Sequence, residues 1–157
     1  MPDMLVKLYK LPDSKPLYEK LAKEGIRIIR PMTPNKDKVC NWIREYFSDG
    51  WANETEAAFA HQPVSCFIAY DDNEKKILGF AGYDCTAKDF FGPTGVDPAY
   101  RMKGIGGALL LRCMEALRDE GYGYAVIGSA GPVHYYEKVV GAQIIEDSVP
   151  GIYDQLI

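Results

Sequence analysis

Several residue types and patterns are scarce in this chain. Histidine occurs only as His61 and His134, and cysteine only as Cys40, Cys66, Cys85 and Cys113. No Cys-x-x-Cys pair and no Cys/His run with metal-ligand spacing can be drawn from them, so no metal is expected. With no signal peptide visible, the cysteines are expected to be reduced thiols in a cytoplasmic protein. No apolar run approaches the roughly 20 residues that span a bilayer, so no membrane segment is expected. An excess of positive charge is also missing. Lys and Arg number 18 against 22 Asp and Glu, a net charge of −4, and such a surface repels polyanions, which excludes nucleic acid as the expected partner. Low-complexity stretches, internal repeats and long linkers are absent too.

What is present is ordinary globular material. The 157 residues are 47% hydrophobic and 25% charged. A chain of that length buries roughly 70% of the surface it exposes when unfolded and needs no disulfide to hold it. One domain spanning residues 1–157 is expected, with residues 1–25 as an N-terminal extension and 26–157 as the core.

Patterning gives the elements. Met4 to Leu11 alternates as a strand, and Pro16 to Glu24 reads as a helix closed by Gly25. Ile26 to Arg30 is a second strand. Asp37 to Phe47 places Val39, Ile43, Tyr46 and Phe47 on one helical face. Asp49 to His61 reads as a loop followed by a short helix. Ser65 to Tyr70 and Ile77 to Tyr83 form a hairpin through Asp71, Asp72 and Asn73, and Phe90 to Val96 extends the meander. A helix then runs to about Glu120 and stops at Gly121. Tyr124 to Gly128 is a strand, Val133 to Val139 a helix, and Ala142 to Ile145 and Ile152 to Leu156 a closing pair of strands. A helix between the Phe90 and Tyr124 strands predicts that those two pair in parallel. The fold class is α/β (α+β), a mixed and mostly antiparallel sheet flanked by helices.

The stretch Arg101-Met-Lys-Gly-Ile-Gly-Gly107 is the chemical signal. Each glycine costs up to about 1 kcal/mol in a helix relative to alanine, so Gly104, Gly106 and Gly107 do not serve helix stability. Lacking Cβ atoms, they leave the partnerless amides of a helix N-terminus open to an anion, above all a phosphate or pyrophosphate. Arg101 and Lys103 add charge of the matching sign. The spacing excludes a Walker A loop, and Leu109 stands where a dinucleotide fingerprint needs its third glycine.

VDPAYRMKGIGG resembles the acetyl-CoA motif of the GCN5-related N-acetyltransferases, with Val96, Pro98, Arg101, Gly104 and Gly106 in register. HYYEKVVGA, residues 134–142, is similar to that family's Tyr-Glu-Lys-x-Gly-Phe segment through Tyr136, Glu137 and Lys138. It has one extra residue before Gly141, and Ala142 replaces the usual aromatic. The family's frequent Asn after the preceding strand is also missing. The resemblance covers most of the chain, with Met1 to Gly25 outside it.

The resemblance implies a GNAT fold with an N-terminal strand–helix extension and an acetyl-CoA-dependent N-acetyltransferase, an amine attacking the thioester directly. It assigns the pyrophosphate to the amides of Met102, Lys103, Gly104, Ile105, Gly106 and Gly107 beside Arg101. The pantetheine would run along Thr94, Gly95 and Val96, with the Thr94 N–H at the thioester carbonyl. It makes Tyr136 the proton donor to the leaving thiolate, with Tyr135 facing the core. Glu54 heads the candidates for the base, ahead of Glu56, Asp84, His61 and His134, because the loop after the first core helix contributes to the acceptor pocket in the family. Trp51 and Tyr83 are candidate lining of that pocket. The acceptor is expected to be a small-molecule primary amine. A noncatalytic acyl-CoA-binding module and a protein N-acetyltransferase are the alternatives, and an exposed closing strand would suit a homodimer.

Overall fold

Alternation along Met4–Lys7 buries Met4 and Val6 while Leu5 and Lys7 stay half-exposed. In the computed structural model, which describes residues 1–157, these four residues are a strand, β1. It does not lie on the outside of the domain. The chain continues through α1 (Lys15–Lys23), β2 (Ile26–Ile29), α2 (Lys36–Tyr46), α3 (Asp49–Ala58), β3 (Cys66–Asp71), β4 (Lys76–Tyr83), β5 (Phe90–Val96), α4 (Ile105–Asp119), β6 (Tyr124–Ile127), α5 (Val133–Val140) and β7 (Gln143–Ile144). Short 3-10 turns sit between several of these, the last over Gly151–Gln155.

The seven strands form one sheet in the order β2-β3-β4-β5-β6-β1-β7. All neighbours are antiparallel except β5 and β6, which are parallel as the crossover helix between them requires. The N-terminal strand is thus an inner one, Leu5 standing opposite Val126 on one side and Gln143 on the other. Asp3 pins this arrangement. Its carboxylate accepts the Ser129 N–H at 2.8 Å, its own N–H donates to Ser148 Oγ at 2.9 Å, and its carbonyl accepts the Ile145 N–H at 2.9 Å.

This placement explains one departure from the sequence reading. Ile152 to Leu156, expected as a closing strand, falls instead largely in the 3-10 segment Gly151–Gln155 that follows Pro150. The place beside β6 that a returning strand would take is held by β1. Asp49 to His61 departs as well. No loop precedes the helix, because the Ser48 side chain accepts the Trp51 N–H and starts α3 at Asp49. Tyr46, expected on the buried face of α2, is 44% exposed, its ring stacked on Trp42 at 4.8 Å.

The sheet has a core on each face. On one side α1, α4 and α5 cover Met4, Phe67, Leu78, Phe91 and Ile127. On the other, α2 and α3 cover Cys66, Ile68, Ile77 and Phe80 through Val39, Ile43 and Ala52. The amphipathic spacing of α4 supplies much of the first core. Ile105, Leu109, Cys113 and Leu117, one every four residues, are each almost wholly buried. Its outer face is tied to α1, since Glu115 accepts hydrogen bonds from Ser14 Oγ and Tyr18 OH, each at 2.7 Å.

Candidate functional site

The site grows from a defect in the sheet. Strands β5 and β6 pair only through Phe90 with Val126 and Phe91 with Ile127. Beyond that point β6 ends and β5 continues to Val96, so the sheet splays and one edge of β5 is left open. On its other edge β5 stays paired with β4, Phe80 opposite Gly95 and Ala81 opposite Thr94. The Asp97 N–H reaches the Leu78 carbonyl at 2.8 Å, which fixes the alternation. Gly95 shares its hydrogen bonds with Phe80, and the N–H groups of Thr94 and Val96 point into the gap.

A register shift between Ala81 and Tyr83 interrupts this pairing. One extra residue reverses which face each side chain takes. Phe91 faces α4 and α5, whereas Gly95, four residues on, faces α2. There the Phe47 ring lies so close that a Cβ on Gly95 would stand 2.5 Å from its Cζ. Gly95 is a glycine because an aromatic occupies its side-chain space. Phe47 in turn contacts Trp51 at 5.3 Å between centroids.

At the mouth of the gap stands the glycine segment. Met102 and Gly104 take left-handed conformations, φ 70° and 89°, which reverse the chain into α4. Arg101, Met102 and Lys103 are exposed. Ala108 is the first amide of α4 with a helical acceptor, the Gly104 carbonyl at 3.0 Å, so the amides of Ile105, Gly106 and Gly107 have none. They carry the positive end of a 15-residue helix. An anion is the group that such a cradle stabilises.

The three glycines are not equivalent. A Cβ on Gly104 would meet Leu17 Cδ1 at 2.8 Å, and one on Gly107 would meet the Tyr135 hydroxyl at 3.2 Å. On Gly106 the nearest atoms, Val96 Cγ2 and the Tyr135 hydroxyl, are at an ordinary 3.7 and 3.8 Å. Leu17 belongs to α1, so the N-terminal segment braces the loop.

Tyr135 and Tyr136 change places relative to the sequence reading. Tyr135, expected in the core, is 38% exposed with its hydroxyl over Gly106 and Gly107, and Tyr136 is 6% exposed within the core. Both sit on α5, where successive residues point about 100° apart, so burying Tyr136 turns Tyr135 outward. The Tyr136 ring packs edge-on against Phe91, centroids 6.4 Å apart, at the foot of the gap. Burial, and then the neighbouring Tyr135, push its phenol to about 12.

Glu54 lies on α3 rather than in a loop, one helical turn beyond Trp51. Its Oε1 accepts a hydrogen bond from Thr86 Oγ1 in the β4–β5 turn. Glu56 faces outward to Lys36, with Nζ and Oε1 3.3 Å apart. His134 is exposed and paired with Glu137, and His61 Nδ1 is 2.8 Å from Ser65 Oγ. The Tyr83 hydroxyl is spent on Arg30 at 2.7 Å. Tyr153 was missed by the sequence reading. Its hydroxyl lies 3.2 Å from the point where a Cβ on Gly128 would stand, just beyond the end of β6.

Two grooves of about 250 and 260 Å³ flank the edge strand β2, and no candidate site residue from the sequence lines them.

Comparison with known proteins gives a consistent picture. Residues 36–142 match the model of a family described as the acetyltransferase (GNAT) family. No curated protein matches the chain. Among solved structures, the glucosamine N-acetyltransferase region of a fungal multi-domain β-N-acetylglucosaminidase superposes with a TM-score of 0.74 at 13% identity, over 92% of this chain and 19% of that one. A GCN5-related N-acetyltransferase from Sphaerobacter thermophilus gives 0.65 at 16% identity, over 92% of this chain and 48% of that one. A tandem GNAT protein of the clavulanic acid pathway gives 0.57 at 14%, over 91% and 49%. The chain therefore spans about half or less of the length of these structures, and the likeness is one of fold.

Proposed function

This chain belongs to the acetyltransferase (GNAT) family, and from that membership we propose that it transfers an acetyl group from acetyl-CoA to a primary amine of a small molecule. The observation that carries the reading is the pairing of two features at one place. Three partnerless amides open α4, and beside them β5 offers an unpaired edge. A ligand with a pyrophosphate and an extended amide-bearing arm fits both.

The residues divide the work as follows. The amides of Met102 to Gly107, with Arg101 and Lys103, hold the pyrophosphate, and Gly106 gives it room. Thr94, Gly95 and Val96 form the wall along which the arm lies, and the N–H groups of Thr94 and Val96 are its donors. Acetyl-CoA supplies a carbonyl carbon already activated as a thioester. The Thr94 N–H is set to donate to the carbonyl oxygen as charge gathers there during attack, a contribution often among the largest in such reactions. The acceptor nitrogen gives its lone pair to the carbonyl carbon, the carbon–sulfur bond breaks, and the sulfur takes a proton.

Tyr136 is the proton donor in this reading. It stands at the foot of the gap against Phe91, and a phenol held near 12 is protonated throughout the neutral range. Glu54 is the carboxylate nearest in role to a base for the amine.

The test is acetyl transfer measured as CoA release with a panel of primary amines. Tyr136→Phe is expected to lower kcat at least tenfold with acetyl-CoA affinity unchanged. An unchanged kcat removes Tyr136 from the mechanism, and acetyl-CoA binding without transfer to any amine replaces the enzyme reading with that of a binding module.

A further inference from the structure

The sheet ends at β2, which pairs with β3 on one side and has no strand on the other. The Asp72 N–H donates to the Gly25 carbonyl at 2.9 Å, and this sets the alternation along the strand. Arg27 and Ile29 share their backbone bonds with Tyr70 and Ile68, so the N–H and C=O groups of Ile26 and Ile28 point away from the sheet. The usual protections of such an edge are missing. No proline or lysine stands in Ile26–Ile29, and its register with β3 is unbroken. Its one charged side chain, Arg27, is engaged by Asp72, Nε to Oδ2 at 2.6 Å and Nη2 to Oδ1 at 2.8 Å.

Room lies on both faces of the strand. On the side of α1 and α4, Ile26, Ile28, Tyr18, Ala22 and Arg112 line the groove of about 260 Å³. On the side of α2, the groove of about 250 Å³ has a floor of Ile29, Ile68, Ile77 and Val39 with Lys38 beside it. A strand laid along β2 alternates its side chains between the two faces and so drops them into the two grooves in turn.

The charge of the grooves is opposite to that of the protein. The chain carries a net −4, yet Arg27, Arg30, Lys38 and Arg112 line the grooves and no Asp or Glu does. Arg27 has Asp72, whereas Arg30, Lys38 and Arg112 make no ion pair. Glu115, one turn along α4 from Arg112, already accepts from Ser14 and Tyr18. The Arg112 guanidinium lies instead over the Phe67 ring, 4.7 Å from its centre, which fixes the head without neutralising it.

We infer that β2 is a docking edge for an extended segment of another protein, apolar and acidic in composition, which adds to the sheet as a further strand. Ile26 and Ile28 give it backbone hydrogen bonds, its apolar side chains enter the two grooves, and its carboxylates meet Arg112 on one face and Lys38 on the other. A second copy of this chain suits the edge poorly, because two β2 strands brought together set these basic groups against their own counterparts. The proposal stands apart from the acetyltransferase reading, and its test reads no acetyl transfer.

The experiment measures binding of fluorescein-labelled peptides to the whole chain by anisotropy. The first is Glu-Val-Ile-Val-Ile-Asp, and the second has lysine at both ends. The acidic peptide is expected to bind saturably and at least tenfold more tightly than the lysine peptide, with hydrogen exchange slowed at the amides of Ile26 and Ile28. Lys38→Glu, at an exposed position, is expected to weaken it at least fivefold. Methylating the backbone nitrogens of the two valines, or separately those of the two isoleucines, blocks alternate edges of the added strand, so one pattern should abolish binding and the other spare it. Failure of the acidic peptide to bind, equal binding of the two peptides, equal effects of the two methylation patterns, or unchanged exchange at Ile26 and Ile28 overturns the proposal. Protection of the same amides by rising protein concentration without peptide makes a second copy the occupant and overturns it as well.

Discussion

The hydroxyl of Tyr135 stands 3.2 Å from the point where a side-chain carbon on Gly107 would lie and 3.8 Å from the corresponding point on Gly106. The small difference separates two jobs for adjacent glycines. Gly107 is small so that α5 can approach α4, and Gly106 is small although the fold does not require it.

Gly107→Ala therefore presses on Tyr135 and is expected to cost about 1 kcal/mol, the lower end for overpacking. Removing the hydroxyl in Tyr135→Phe relieves the contact, so the double variant should regain most of that loss. Chemical denaturation of the four proteins measures it. Strictly additive effects would show that the two residues do not meet.

Leu17 and Glu115 extend the same logic to the N-terminal segment. Ser14 and Tyr18 both donate to Glu115, and Leu17 lies 2.8 Å from the side-chain position of Gly104. Glu115→Ala leaves two hydroxyl groups without their acceptor and is expected to destabilise the fold by about 2 kcal/mol. Leu17→Ala should raise the Kd for acetyl-CoA severalfold by loosening the loop. An unchanged Kd would mean that α1 does not brace it.

Asp89 carries a stability signature in pH. Its Oδ1 is buried without a partner, and burial followed by the nearby Asp84 lifts its pKa from 3.8 to about 6. In the unfolded chain the group ionises near 4, so between about pH 4 and 6 the folded state holds the extra proton and stability falls as pH rises. Above pH 6 the ionised form costs roughly 1 to 2 kcal/mol once solvent screening of this half-exposed group is allowed for. Asp89→Asn is accordingly expected to raise Tm at pH 7.5 and to lose that advantage at pH 4. A constant difference at both values would contradict it.

The pH profile of the reaction tests the proton donor. With the Tyr136 phenol near 12, the rate should climb as the acceptor amine loses its proton and show no falling limb up to pH 10. A fall between pH 7 and 9 would point to a different acid.

Much of this was legible in the sequence. The strand from Phe90 to Val96 that extends the meander, the four-residue period from Ile105 to Leu117 and the turn residues Asp71 to Asn73 were each read as the element found, because they are local. Parallel pairing of β5 and β6 followed from the helix between them. The place of β1 was not legible, since an alternating strand does not say which neighbours it has. Only the Asp3 hydrogen bonds and the β6 register reveal that. The failure at Ile152 to Leu156 has the same root, as the position was already filled. The outward turn of Tyr135 was not legible, since two adjacent aromatics on a short helix do not say which of them the core takes. Tyr153 had no signal either, because its partner is an empty side-chain position on Gly128, far away in the chain.

The most direct test is a thermal-shift titration with acetyl-CoA on wild type and on Gly106→Glu. The account predicts that ligand at 100 times its Kd stabilises wild type by about 2.7 kcal/mol. In Gly106→Glu a carboxylate covers the amides that open α4, and the fold should survive while the shift disappears. An equal shift in the variant, or none with any CoA species in wild type, would contradict the assignment of this loop to the acyl donor.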